Sequence, residues 1–140
     1  MNNKYDQISE YIASFTQIYS GFAKKYGLSY NELHCFYYLV QHERATMSEI
    51  SKLWSIPKQT LNSFRNKYVK KGYISVIADS EDKRKKFITL TQEGKDFTLP
   101  IIEKLTQAEK AASKGLSDQE YASYLAVFDQ IIENLIANLD

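Results

Sequence analysis

A mainly α-helical, α+β fold is predicted by three features of the sequence. Apolar residues recur every three or four positions over long stretches, three Ser/Thr-x-x-Glu boxes mark helix starts, and one interval shortens to the period of a β-hairpin. The 140 residues, 44% hydrophobic and 25% charged, suit one globular domain rather than a disordered chain. No apolar run approaches the roughly 20 residues of a membrane span. The start, Met1-Asn2-Asn3-Lys4, lacks the apolar stretch of a secretory signal. A cytoplasmic protein with no membrane partner is therefore expected.

The elements follow in order. Tyr5, Ile8, Ile12, Phe15, Tyr19, Phe22 and Tyr26 form one seam on a first helix that Gly27 can end. Ser29 and Glu32 box the start of a second helix running to about Gln41, with Leu28 and Leu33 placed as its hydrophobic staple. Thr46 and Glu49 box a short third helix carrying Met47, Ile50, Leu53 and Trp54, which Pro57 stops. A fourth helix is expected from about Pro57 to Lys71, with Leu61, Phe64 and Tyr68 inward and Gly72 just past its end. Ile74-Ser75-Val76-Ile77 and Phe87-Ile88-Thr89-Leu90 read as two strands, and the nine residues between them, Ala78 to Lys86, as a long polar tip. Phe97, Ile101, Leu105, Ala108 and Ala112 share a face of a fifth helix, in which Pro100 predicts a kink. Gly115 breaks that helix. Ser117 and Glu120 then box a sixth helix with Tyr121, Leu125, Phe128, Ile132, Leu135 and Leu139 at the same spacing.

Charge is distributed unevenly. Between Lys52 and Lys86 stand ten basic residues and three acidic ones, a net +7, whereas the rest of the chain sums to −6. A basic middle between acidic arms points one surface at a polyanion. The capped third helix, the turn at Ser55-Ile56-Pro57 and the amphipathic fourth helix have the layout of a helix-turn-helix, whose second helix enters the DNA major groove. Its outward face offers Lys58, Gln59, Thr60, Asn62, Ser63 and Asn66, groups able to hydrogen-bond base edges. Arg65, Lys67, Lys70 and Lys71 are placed as phosphate ligands. In the hairpin tip, Lys83, Arg84, Lys85 and Lys86 suit a neighbouring minor groove, where negative potential favours inserted cations.

These residues carry a resemblance. Asp79-Ser80-Glu81-Asp82-Lys83-Arg84 followed by Phe87-Ile88-Thr89-Leu90-Thr91 resembles the wing signature of the multiple-antibiotic-resistance regulator (MarR) family, Asp-Pro-x-Asp-x-Arg before a strand ending in Leu-Thr. Lys70-Lys71-Gly72-Tyr73-Ile74 is similar to the end of that family's recognition helix. Ser80 stands where the family usually has Pro, Lys83 where Arg is frequent, and Arg65 where an apolar residue is usual. The resemblance implies a winged helix-turn-helix with N- and C-terminal dimerization helices: a single 1–140 domain, its winged lobe at 28–91 and its dimerization helices at 1–27 and 92–140. It assigns Arg84 to the minor groove and Asp82 to steadying the wing by ion pairing.

It further implies a homodimer on a palindromic double-stranded DNA operator, acting as a repressor. Ile8, Ile12, Phe15, Phe128, Ile132, Leu135 and Leu139 are the expected interface residues. A small aromatic ligand is the implied effector, and Tyr19, Phe22, His34, Tyr37 and Tyr38 lie on the helices that would border its pocket. Cys35, the lone cysteine, falls among Leu33, Phe36 and Leu39 and is expected to be a buried inert thiol. No cofactor or metal site is expected, because His34, Cys35 and His42 lack a fourth ligand from the fifth helix. No phosphate loop, nucleophile elbow or metal motif suggests an enzyme. The alternatives are a winged-helix adaptor that binds protein, or a metal- or redox-responsive regulator.

Overall fold

The computed structural model describes residues 3–139, so the outermost positions of the expected 1–140 domain lie outside the described residues. Six helices and one antiparallel hairpin follow one another as α1 (Lys4–Lys24), α2 (Tyr30–Gln41), α3 (Met47–Trp54), α4 (Lys58–Lys70), β1 (Ile74–Ala78), β2 (Lys86–Leu90), α5 (Gln92–Ala112) and α6 (Asp118–Leu139). The chain divides into two compact units, one reaching Glu103 and one starting at Lys104.

In the first unit, α1 stops at Lys24, three residues before the glycine expected to end it. The amides of Tyr26 and Leu28 both donate to the Ala23 carbonyl at 3.0 Å, and Gly27 turns the chain at φ 72°. This closing turn satisfies helix-end carbonyls that would otherwise lack donors. The boxes at Ser29–Glu32 and Thr46–Glu49 form as expected, each side-chain oxygen accepting an amide hydrogen while the glutamate accepts the cap amide. Leu28 and Leu33 are both buried.

The core lies between α2, α4 and the start of α5. The Phe36 ring is 5.1 Å from Phe64, 4.7 Å from Tyr68 and 6.0 Å from Phe97, close to edge-on in each case. Such rings bury large apolar area and add favourable edge-to-face electrostatics. Gly94, in the first turn of α5, lies against the corner between α4 and β1: a Cβ there would stand 2.1 Å from the Tyr73 carbonyl oxygen. Only a residue without a side chain permits that approach.

The hairpin register runs from Ile74 opposite Leu90 to Ala78 opposite Lys86. Lys86 is therefore a strand residue and not part of the tip, contrary to the expectation from sequence. The ladder gains a pair because the Asp79 amide donates to the Lys85 carbonyl at 2.9 Å, which closes the tip at residues 79–85. On its other edge β2 bridges Ala45: the two amides and carbonyls of Ala45 and Ile88 exchange hydrogen bonds at 3.0 and 2.8 Å. The hairpin is thus tied to the loop before α3.

α5 continues unbroken through Pro100. In the second unit Ser117 and Glu120 form the third box, with hydrogen bonds of 3.1 and 3.0 Å. α6 contains no buried residue. Among the described residues no helix is long and apolar enough to cross a membrane.

Candidate nucleic-acid interface

The turn between α3 and α4 is tight. Ser55 adopts the left-handed conformation at φ 52°, and the Ser51 hydroxyl donates to the Ile56 carbonyl at 3.0 Å. Ile56 is buried and anchors the turn. A non-glycine residue in this region costs on the order of 1 kcal/mol, held here by the helices on either side.

α4 then divides its residues by face. Leu61, Phe64 and Tyr68 are buried, whereas Lys58, Gln59, Thr60, Ser63, Asn66 and Lys67 are exposed, and Asn62 and Arg65 half-buried. The helix start differs from those of α2 and α3. Pro57 supplies no side-chain cap and the first turn has no acidic residue, so its positive end keeps unclaimed amide donors. Arg65 Nε donates to Asn66 Oδ1 at 3.4 Å.

Glu32 joins α4 to the second helix. Its carboxylate accepts the Ser29 amide at 2.9 Å and the Lys67 ammonium at 3.1 Å. Burial raises its pKa, but hydrogen bonds from Ser29, Tyr68 and Lys67, with the Lys67 charge, outweigh that and hold it below the ordinary carboxylate value. The same burial and the Glu32 charge push the Tyr68 hydroxyl well upward.

The tip of the hairpin is shaped by two aspartates. Asp82 Oδ1 accepts the Arg84 amide at 3.0 Å, while the Arg84 guanidinium stands 3.9 Å away. Asp79 Oδ1 accepts the Glu81 amide at 3.1 Å. The short contact from Asp82 is thus to backbone rather than to the guanidinium, whose side chain is 97% exposed. At the tip's base, the Arg44 guanidinium lies 4.1 Å above the Phe87 ring, with the Lys85 ammonium 5.4 Å from it. Sequence reasoning missed Arg44, because nothing local links the end of α2 to the hairpin.

Of the five positions expected around an effector, Tyr19 and His34 are in ring contact. His34 stacks on Trp54 at 3.9 Å and meets Tyr30 at 4.3 Å and Tyr19 at 6.1 Å. Phe22 pairs with Tyr26 and Tyr38 with His42, the Tyr38 hydroxyl donating to Glu49 at 3.3 Å. Tyr37 is half-buried. His34 Nε2 is buried with no hydrogen-bond partner, and burial lowers the pKa of the ring. Cys35 is buried, as expected from the sequence, and burial with the Glu32 charge pushes its thiol up to about 12. Ile12, Phe15, Ile132, Leu135 and Leu139 are exposed, while Ile8 and Phe128 are half-buried.

Residues 22–91, half of the chain, match the family model described as sugar-specific transcriptional regulator TrmB. Over 99% of this chain and 100% of the other, the fold is that of a MarR-family regulator from Neisseria meningitidis, with a TM-score of 0.84 at 23% identity. The chain belongs to the family of transcriptional regulators that the TrmB model describes, and its fold is that of MarR-family regulators. The TrmB match spans the winged lobe with the end of α1, and the MarR likeness extends to the terminal helices. In the MepR–DNA complex of Staphylococcus aureus, 96% of the chain matches at a TM-score of 0.75 and 20% identity. The transcriptional regulator Hpr of Bacillus licheniformis is 31% identical over 110 residues, 79% of this chain. The chain spans about half the length of such curated relatives, 52% in the case of Hpr. This winged-helix family and fold are those of transcriptional regulators, not enzymes.

Proposed function

We propose that the chain is a sequence-specific, double-stranded DNA-binding regulator that occupies a palindromic operator as a homodimer and represses the adjoining gene. The observation that carries this reading is the division of α4: one row of buried apolar residues fixes the helix, and the opposite row of amides, hydroxyls and lysines follows an uncapped start. Gln59, Asn62 and Asn66 suit adenine edges, Lys58 suits guanine, and Thr60 and Ser63 suit either. Lys70 and the half-buried Arg65 hold phosphate, while Arg84, with Lys83 and Lys85 beside it, enters the minor groove. Asp82 shapes the tip that presents them. Crystallographic DNA binding by MepR, a protein of the same fold, supports the assignment.

The exposed apolar rows of α1 and α6 support self-association, with Ile12, Phe15, Ile132, Leu135 and Leu139 meeting a second copy. A small aromatic effector acts in this reading through the cluster of His34 with Tyr19 and Trp54, which spans α1, α2 and α3. The test is selection of bound fragments from random duplex DNA with the purified chain. A palindrome with half-sites about 10 base pairs apart is expected, and affinity should fall steeply with salt. A folded sample that enriches no duplex and captures proteins instead would favour the adaptor alternative.

A further inference from the structure

Lys67 is one of the cations that the sequence assigns to phosphate, yet its ammonium is already engaged. It donates to Glu32 Oε2 at 3.1 Å and lies 5.2 Å from the centre of the Tyr68 ring. The Glu32 side chain is only 15% exposed, and the same carboxylate accepts the Ser29 amide at 2.9 Å. A carboxylate also held by the cap amide does not move with its partner, so the pair, shielded on the Glu32 side, outlasts ordinary surface pairs, which are worth little. Among the described residues Lys58 and Lys70, on the same helix, make no ion pair. We propose that Glu32 is a positioning residue that withholds Lys67 from the DNA, so that α4 engages its operator with one cation fewer than its sequence carries.

The consequence concerns specificity. Each phosphate neutralised strengthens binding to every sequence alike, whereas base contacts separate sites. Keeping Lys67 on Glu32 lowers the sequence-independent part and leaves the row from Gln59 to Asn66 in charge of discrimination. The pair also pins α4 to the start of α2, fixing the helix whose face reads the bases.

This inference rests on the DNA-binding reading, and the experiment separates the two. Operator affinity is titrated against salt for the wild type, Glu32→Gln, the double variant Glu32→Gln/Lys67→Gln, and Lys67→Gln. Glutamine at position 32 retains the capping box while releasing the ammonium. For Glu32→Gln the slope of log affinity against log salt should steepen by about 1.8, about 0.9 for each subunit of the bound dimer, with roughly 12-fold more gain at 50 mM than at 200 mM salt. The double variant should return to the wild-type slope, and Lys67→Gln alone should keep it. An unchanged slope in Glu32→Gln overturns the proposal, as does a steepening that survives in the double variant, because the gain then comes from the lost carboxylate. Should Glu32→Gln fail to fold, a slope shallower by about 1.8 in Lys67→Gln overturns it equally, since the Lys67 of each subunit would then already be on phosphate. A wild type that ignores duplex at low salt overturns the DNA reading, and this inference with it.

Discussion

Leu61, Phe64 and Tyr68 on α4 recur at spacings of three and four, and so do Tyr121, Leu125, Phe128, Ile132, Leu135 and Leu139 on α6. The three on α4 are buried against their own chain, while none of the six on α6 is. Period tells which residues share a face of a helix. It does not tell what covers that face. On α4 the face meets Phe36, which in turn meets Phe97, and becomes core. On α6 it stays bare in the single chain, a state that costs water-exposed apolar area unless a second molecule covers it.

The sharpest way to break this comparison is to remove one residue from each face. Phe64→Ala empties space between Phe36 and Tyr68 and should cost about 3–5 kcal/mol of stability, read as a shift of the urea midpoint at unchanged slope. Ile132→Asp should leave the folded winged lobe intact but convert the proposed dimer to monomer by light scattering, with a loss of roughly 2 kcal/mol or more if the position is an interface hot spot. Truncation before Ser117 should do the same. A monomeric wild type would show that the α6 face is covered by something other than a second copy.

The extent to which the sequence was legible follows from the same contrast. Helix starts were readable because their chemistry is local: all three boxes lie within four residues and form as expected. The inner face of α4 was readable because burial follows periodicity. Contacts between distant segments were not. Nothing near Lys67 foretells Glu32, 35 positions away, nor Arg44 over Phe87, nor Trp54 stacked on His34. The place of Lys86 was misjudged because composition marks polar tips, while strand length is set by backbone pairing across the hairpin.

A smaller effect separates binding from stability within the winged lobe. Arg84 is almost wholly exposed, and its contact with Asp82 is long. Arg84→Ala should therefore leave the melting temperature nearly unchanged and weaken operator binding by roughly 1–3 kcal/mol. Asp82→Ala removes an acceptor of the Arg84 amide and should weaken binding by loosening the tip, even with every cation present. Equal affinity for wild type and Arg84→Ala in a fluorescence-anisotropy titration would remove the hairpin from the interface.

The smallest expected effect is a pH dependence that belongs to the buried side of α2 rather than to its surface. Burial among Tyr19, Tyr30 and Trp54 lowers the pKa of His34 below its ordinary 6.5. In the unfolded chain the ring takes up a proton near 6.5, while in the folded chain it does so only at lower pH. Stability from the neutral ring is therefore complete above about 6.5 and is lost as pH falls through that value toward the folded pKa. Glu32, whose pKa also lies below its ordinary 4.5, acts in the same direction but in a lower window, its contribution fading only as pH drops below about 4.5. Melting temperatures measured between pH 7.5 and 5 should thus decline for the wild type and stay flat for His34→Phe, which also removes the unpartnered Nε2. If the two proteins decline in parallel, the titrating group lies elsewhere, and the aromatic cluster holds its histidine without regard to charge.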